Sequence, residues 1–271
     1  MNEATMDRSA VTASAAVRKE RQQGASAWRH IVTIAKREVA GYFASPVAYV
    51  FIVIFLLLTA FFTFMVSGFF ERGQASLLSF FAWHPWLYLF LVPAVGMRMW
   101  SEERRLGTIE LLLTMPITPW QAIVGKFLAA WLVLALALFL TFPIVITVNY
   151  LGNPDNGVIL ASYAGSLLLS GGYLSVAAMT SAMTRNQVVS FIVSLMICLF
   201  LILAGWPPVT NLLTQWASLW FVETVAAFSV MTHFESIQKG VIDSRDVLFF
   251  LSVIAFCLFT TSVIIRAHRA G

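Results

Sequence analysis

From Pro46 to Phe70 the chain reads PVAYVFIVIFLLLTAFFTFMVSGFF, without an Asp, Glu, Lys or Arg, and the run ends only at Glu71 and Arg72. Wound as an α-helix, rising about 1.5 Å per residue, such a run exceeds the ~30 Å hydrocarbon layer of a bilayer. Five further charge-poor stretches follow, at about 80–99, 122–148, 159–183, 187–204 and 247–265. Only 11% of the 271 residues are charged and 59% are hydrophobic, against roughly a quarter charged in a soluble domain. A water-soluble core cannot absorb that apolar surface. The pattern predicts an all-α integral membrane protein with six transmembrane helices.

Orientation follows from Lys and Arg in the short connections. With six spans, one side collects Arg18, Lys19, Arg21, Arg29, Lys36, Arg37, Arg98, Arg104, Arg105, Lys126, Arg185, Arg266 and Arg269. The other side has Arg72, Lys239 and Arg245, offset by Glu71, Asp155, Glu223, Glu235, Asp243 and Asp246. Both termini are therefore expected in the cytoplasm. The same distribution reads the net charge of +4 as a topology signal and not as a nucleic-acid-binding stripe.

Residues 1–25, rich in Ala and Ser and charged, are expected to form a disordered cytosolic tail. Within 26–44, Trp28, Ile31, Val32, Ala35, Val39, Tyr42 and Phe43 recur at helical spacing, with Arg29, Lys36 and Arg37 between them. This predicts an amphipathic helix in the membrane interface, preceding a six-helix transmembrane domain at 45–271. Pro93 is expected to kink the second span. The segment 205–246, between the fifth and sixth spans, carries Thr210, Asn211, Thr214, Gln215, Ser218 and Glu223, too polar for a full crossing. Short helices in or on the outer leaflet are expected there, with Trp206, Trp216 and Trp220 at headgroup level.

Chemistry-bearing constellations are scarce. The histidines His30, His84, His233 and His268 show no ligand spacing, and Cys198 and Cys257 sit inside apolar runs as buried hydrophobes. No metal site, catalytic set or bound cofactor is expected, and no mid-membrane carboxylate suggests ion coupling. Small residues of the fourth span, Gly165, Ser166, Ser170, Gly171, Gly172, Ser175, Ala178 and Ser181, suit close helix packing, with a translocation lining as the alternative.

The connection after span two is the most informative piece. SEERRLGTIELLLTMPIT, from Ser101 to Thr118, is dense in charge, breaks at Gly107 and Thr108, then presents leucines and stops at Pro116. It reads as a short helix entered through Gly107, with Thr108 as N-cap, Glu110 near the positive end and Pro116 as terminator. Exposed leucines beside charge suit docking in a groove of a soluble partner, although an interfacial connection that binds nothing has the same composition.

Glu102, Glu103, Arg104, Arg105, Gly107, Thr108, Glu110, Leu111, Leu112 and Pro116, followed by Gly125 and Lys126, resemble the signature of type-2 ABC exporter permeases. That resemblance implies a cytoplasmic coupling helix between spans 2 and 3 that docks on a separate ATPase. It also implies two permease-type subunits over two ATPase subunits. Ser45 to Tyr49, His233 to Glu235 and Lys239 to Asp243 resemble the GldF-type branch, whose second permease is either an identical copy or a GldG-like partner. A Walker cradle is missing, since Trp120 stands where a glycine would be needed before Gly125 and Lys126, so ATP and Mg are expected on the partner and this chain is expected not to be an enzyme. The expected function is a permease of an ATP-driven exporter in a bacterial inner membrane. The rival is a membrane anchor or assembly scaffold that transports nothing.

Overall fold

The computed structural model describes residues 28–109 and 118–267, so the expected tail at 1–25 lies outside the described residues. Every regular element among those described is helical. Helix α1 covers 28–44. Then follow α2 Pro46–Phe61, extended by a π-turn Phe62–Val66, α3 Leu78–Phe81, α4 His84–Gly96, α5 Arg98–Leu106, α6 Pro119–Phe139, α7 Pro143–Leu151, α8 Asn156–Met183, α9 Gln187–Leu203, α10 Pro207–Trp216, α11 Leu219–Ala227, α12 Val230–Gln238 and α13 Ser244–Ala267. Polar side chains start several of them: Asp155 accepts from the amides of Gly157 and Val158 at 2.9 and 3.3 Å, and Asn186 from Val188 at 2.9 Å.

Five helices are long and apolar enough to cross a bilayer: Ala48–Val66, Leu78–Leu106, Pro119–Leu151, Asn156–Met183 and Ser244–Ala267. A sixth candidate crossing, fifth in chain order, is a bent pair. Gln187–Leu203 and Pro207–Trp216 reach span length together across a 71° bend. Gly205 makes the bend, where an added Cβ would lie 2.4 Å from Ser229 Oγ, and Pro207 starts the new helix. Short helices follow in the segment 205–246, as expected, and there are three of them, α10, α11 and α12. α10 buries no residue and exposes Trp216, while α12 is folded into the body with Phe234 and Ile237 buried. Trp206 packs on Trp86 at 5.5 Å, and His233 of α12 meets Asp246 of α13 at 2.6 Å and stacks on Phe249.

Pro93 is accommodated inside α4, and the break comes four residues later at Met97, whose amide still reaches the Pro93 carbonyl at 2.8 Å. A second break at 140–142, before Pro143, interrupts the third span where no kink was predicted. Proline lacks the amide that would continue the ladder.

The body is organised around α8, which packs on α4, α5, α6, α9, α12 and α13. The small residues named above for this span, from Gly165 to Ser181, are all buried, and several meet side chains of neighbouring helices. Gly165 faces Ile237, Gly171 faces Trp131 and Ile254, and Ser166 bonds Tyr88 Oη at 2.9 Å. His84 is fully buried among the rings of Phe55, Phe80, Phe81 and Tyr88, and Cys198 and Cys257 are buried free thiols.

Gly96 of α4 leaves no room, because a Cβ there would sit 2.4 Å from Ala177 Cβ, whereas one at Gly41 of α1 meets nothing within 4 Å. Gly96→Ala is therefore expected to cost about 1–3 kcal/mol through overpacking, and Gly41→Ala to stabilise by up to about 1 kcal/mol through helix propensity. Thermal unfolding of the two variants in detergent should shift in opposite directions.

Candidate coupling site at the basic end of the bundle

Three elements far apart in sequence meet at one end of the bundle, which also carries most of its arginines and lysines. α6 begins at Pro119, where Gln121 Oε1 accepts from the Thr118 amide at 3.1 Å, and two turns on it presents Lys126. The Lys126 side chain is only 6% exposed; its Nζ lies 2.8 Å from Glu103 Oε1 of α5 and 3.3 Å from Glu38 Oε2 of α1. Trp100 sits over the ammonium at 5.3 Å. A buried cation needs a counter-charge, and here two carboxylates from different elements supply it. Glu103 Oε2 is buried without a partner among the described residues, so the junction holds more negative charge than Lys126 alone balances.

α5 is tied to α8 from its other side. The amides of Trp100 and Ser101, orphan donors at the start of α5, donate to Ser181 Oγ at 3.0 Å each, and the Ser181 hydroxyl donates to the Met97 carbonyl at 2.9 Å. Arg104 donates to the Ala182 carbonyl. Beside Lys126 opens a cavity of 360 Å³ lined by Glu38, Tyr42, Ser45, Arg98, Glu102 and Glu103. Burial, with the Glu38 carboxylate nearby, raises the Tyr42 phenol far above its ordinary range, so it stays neutral; Arg98 opposes this.

Of the predicted docking residues, Glu103 and Arg104 serve the junction, Glu102 lines its cavity, and Arg105 is exposed. Gly107 ends α5 in the left-handed region at φ 74°, which glycine adopts freely, and Thr108 and Ile109 directly after it are helical again. Thr108 lies inside that helical stretch, one place past the N-cap position, and its hydroxyl donates to the Glu103 carbonyl at 3.4 Å. Glu110, Leu111, Leu112 and Pro116 lie outside the described residues.

The predicted amphipathic helix is present as α1. Trp28, Ile31, Val32 and Val39 line an apolar groove against α6 with Lys36 among them, and Arg37 pairs with Glu38 at 3.3 Å on the surface. Sequence periodicity missed the two residues that anchor α1. Ile34 is buried against Gly125, where a Cβ would come within 2.8 Å, and Glu38 reaches Lys126. Helical spacing marks Ile34 only weakly, since Gly125 lies far along the chain. Lys126, an isolated charge inside an apolar run, was the available signal for Glu38.

The described residues form a helical bundle with five to six candidate membrane spans and a charged junction at one end. The family described as ABC-2 family transporter protein matches residues 32–220, and the chain belongs to that family. It is thus a membrane permease of an ABC transporter, a class that works with an ABC ATPase and is not itself the ATPase. No curated protein matches the chain.

Lys126→Met removes the shared cation and leaves two carboxylates facing each other. It is expected to destabilise the protein by about 3 kcal/mol, the lower end for a broken buried pair because both glutamates are partly exposed. Glu38→Gln and Glu103→Gln added to Lys126→Met should restore most of that loss, read as the thermal midpoint in detergent.

Proposed function

We propose that this chain is the permease subunit of a GldF-like exporter that couples ATP hydrolysis on a separate ATPase to the export or extraction of a substrate. The segment from Glu102 to Pro116 docks on the ATPase, with Glu102, Arg105 and Glu110 supplying charge and Leu111 and Leu112 the apolar contact. ATP and Mg sit on the partner. The observation that carries this reading is the Lys126 junction: a push on the docking segment reaches α5, and through Glu103, Lys126 and Glu38 it reaches α6 and α1 together.

The excess of basic residues at the junction end supports a cytoplasmic placement for that end and for both termini, in a bacterial inner membrane. α1 then lies in the cytoplasmic interface and α10 and α11 at the outer leaflet, where Trp216 and Trp220 are 90% and 74% exposed. A second permease-type subunit, identical or GldG-like, would cover exposed apolar side chains such as Val53, Leu57, Ile192 and Met196 of α2 and α9.

Leu111→Ala with Leu112→Ala is expected to weaken ATPase association at least ~10-fold, given the burial energy of a leucine side chain. Glu102→Lys with Glu110→Lys should abolish stimulation of ATP hydrolysis. Association and stimulation unchanged in both variants would overturn the docking assignment. A complex that hydrolyses ATP in liposomes but moves nothing would favour a scaffold.

A further inference from the structure

We infer that the groove between α1 and α6 binds one acyl chain of an anionic phospholipid, whose phosphate rests on Lys36. α1 approaches α6 closely at Gly125, where the missing side chain admits Ile34, and beyond that contact a groove opens between the two helices. The space they leave is a cavity of 700 Å³, lined by Trp28, Ile31 and Val39 on one wall and Leu128, Leu132 and Ala135 on the other, with Leu167 of α8 behind. A cavity this large and this apolar offers water few polar partners, so it favours an apolar occupant over water.

Depth and charge identify the occupant. The α6 wall, from Leu128 to Ala135, covers about 10 Å at 1.5 Å per residue, within the ~15 Å that one leaflet contributes to the hydrocarbon layer. It begins two residues beyond Lys126, whose ion pairs mark the polar boundary, so the groove runs from the headgroup level down one leaflet, as an acyl chain does. Lys36 is the one charged residue in the lining; it is exposed and makes no ion pair with any described residue. Exposed Arg29 on the same helix adds positive charge. A net-negative headgroup satisfies that cation, whereas a zwitterionic one partly cancels its own phosphate. A chain seated here props α1 at a set angle to α6, and so holds Glu38 within reach of Lys126. It is a positioning lipid and not the cargo.

Native mass spectrometry of the full chain, equilibrated with mixed phosphatidylglycerol and phosphatidylcholine, tests this. One phosphatidylglycerol per chain is expected to be retained, with about a fivefold preference, the factor that one lysine at a membrane surface supplies. Lys36→Gln should bring the two lipids to parity. Ala135→Phe, which fills the groove, should lose the lipid, with circular dichroism confirming that the helices persist. Phe259→Ala, an exposed position on α13, should retain it. Equal retention of both lipids by the unaltered chain would overturn the inference, and so would a preference that survives both groove variants. Dissociation of a dimer by Ala135→Phe would overturn it too, by assigning the groove to a second copy.

Discussion

In a bilayer, helices gain nothing from hiding apolar surface against each other, because the lipid tails are equally apolar; they gain from approaching closely and from hydrogen bonds between them. α8 meets that constraint for the whole molecule. Gly165, Gly171, Gly172 and Ala177 let neighbouring side chains reach its backbone, and Ser162, Ser166 and Ser181 supply hydroxyls where carbonyls or other hydroxyls need a partner. Six other helices are placed by contact with it. The orientation of α5 also depends on α8, since Ser181 takes the free amides at its start and Ala182 accepts from Arg104.

That placement brings Glu103 to Lys126. A buried ion pair is a poor source of net stability, because desolvation offsets most of the attraction, but it strongly disfavours arrangements that leave either charge unpaired. At this end of the bundle it specifies register. α1 carries Glu38, which pairs with Lys126, and its apolar residues line the groove against α6, so both features bear on where it sits. A permease driven from outside by a soluble ATPase needs such a rigid link, since force applied to a connection must move spans and not merely bend a loop.

The membrane-spanning segments were legible because the signal is local: an apolar run of sufficient length has few other solutions in water or lipid. Pro93 and Pro143 are local too, yet their effects differed, one being absorbed within α4 and the other starting a new helix. The difference lies in the neighbours. Near Met97, Ser181 of α8 satisfies the amides that the break releases, and nothing in the residues around Pro93 announces a partner from the fourth span. Gly107 was legible as a break between helical stretches, because glycine in the left-handed region ends one helix and lets another begin directly after it.

By itself, the sequence determined that this chain lives in a membrane, roughly where it crosses, and which connection is densest in charge. These follow from transfer energies of contiguous residues. Tertiary structure alone decided that Ile34 and Glu38 anchor α1, that Lys126 joins three elements, and that the fifth crossing bends by 71° at Gly205. Each of these is a contact between residues distant along the chain, created when small side chains allow helices to close to backbone distance. No pattern within a single helix encodes which neighbour will arrive there.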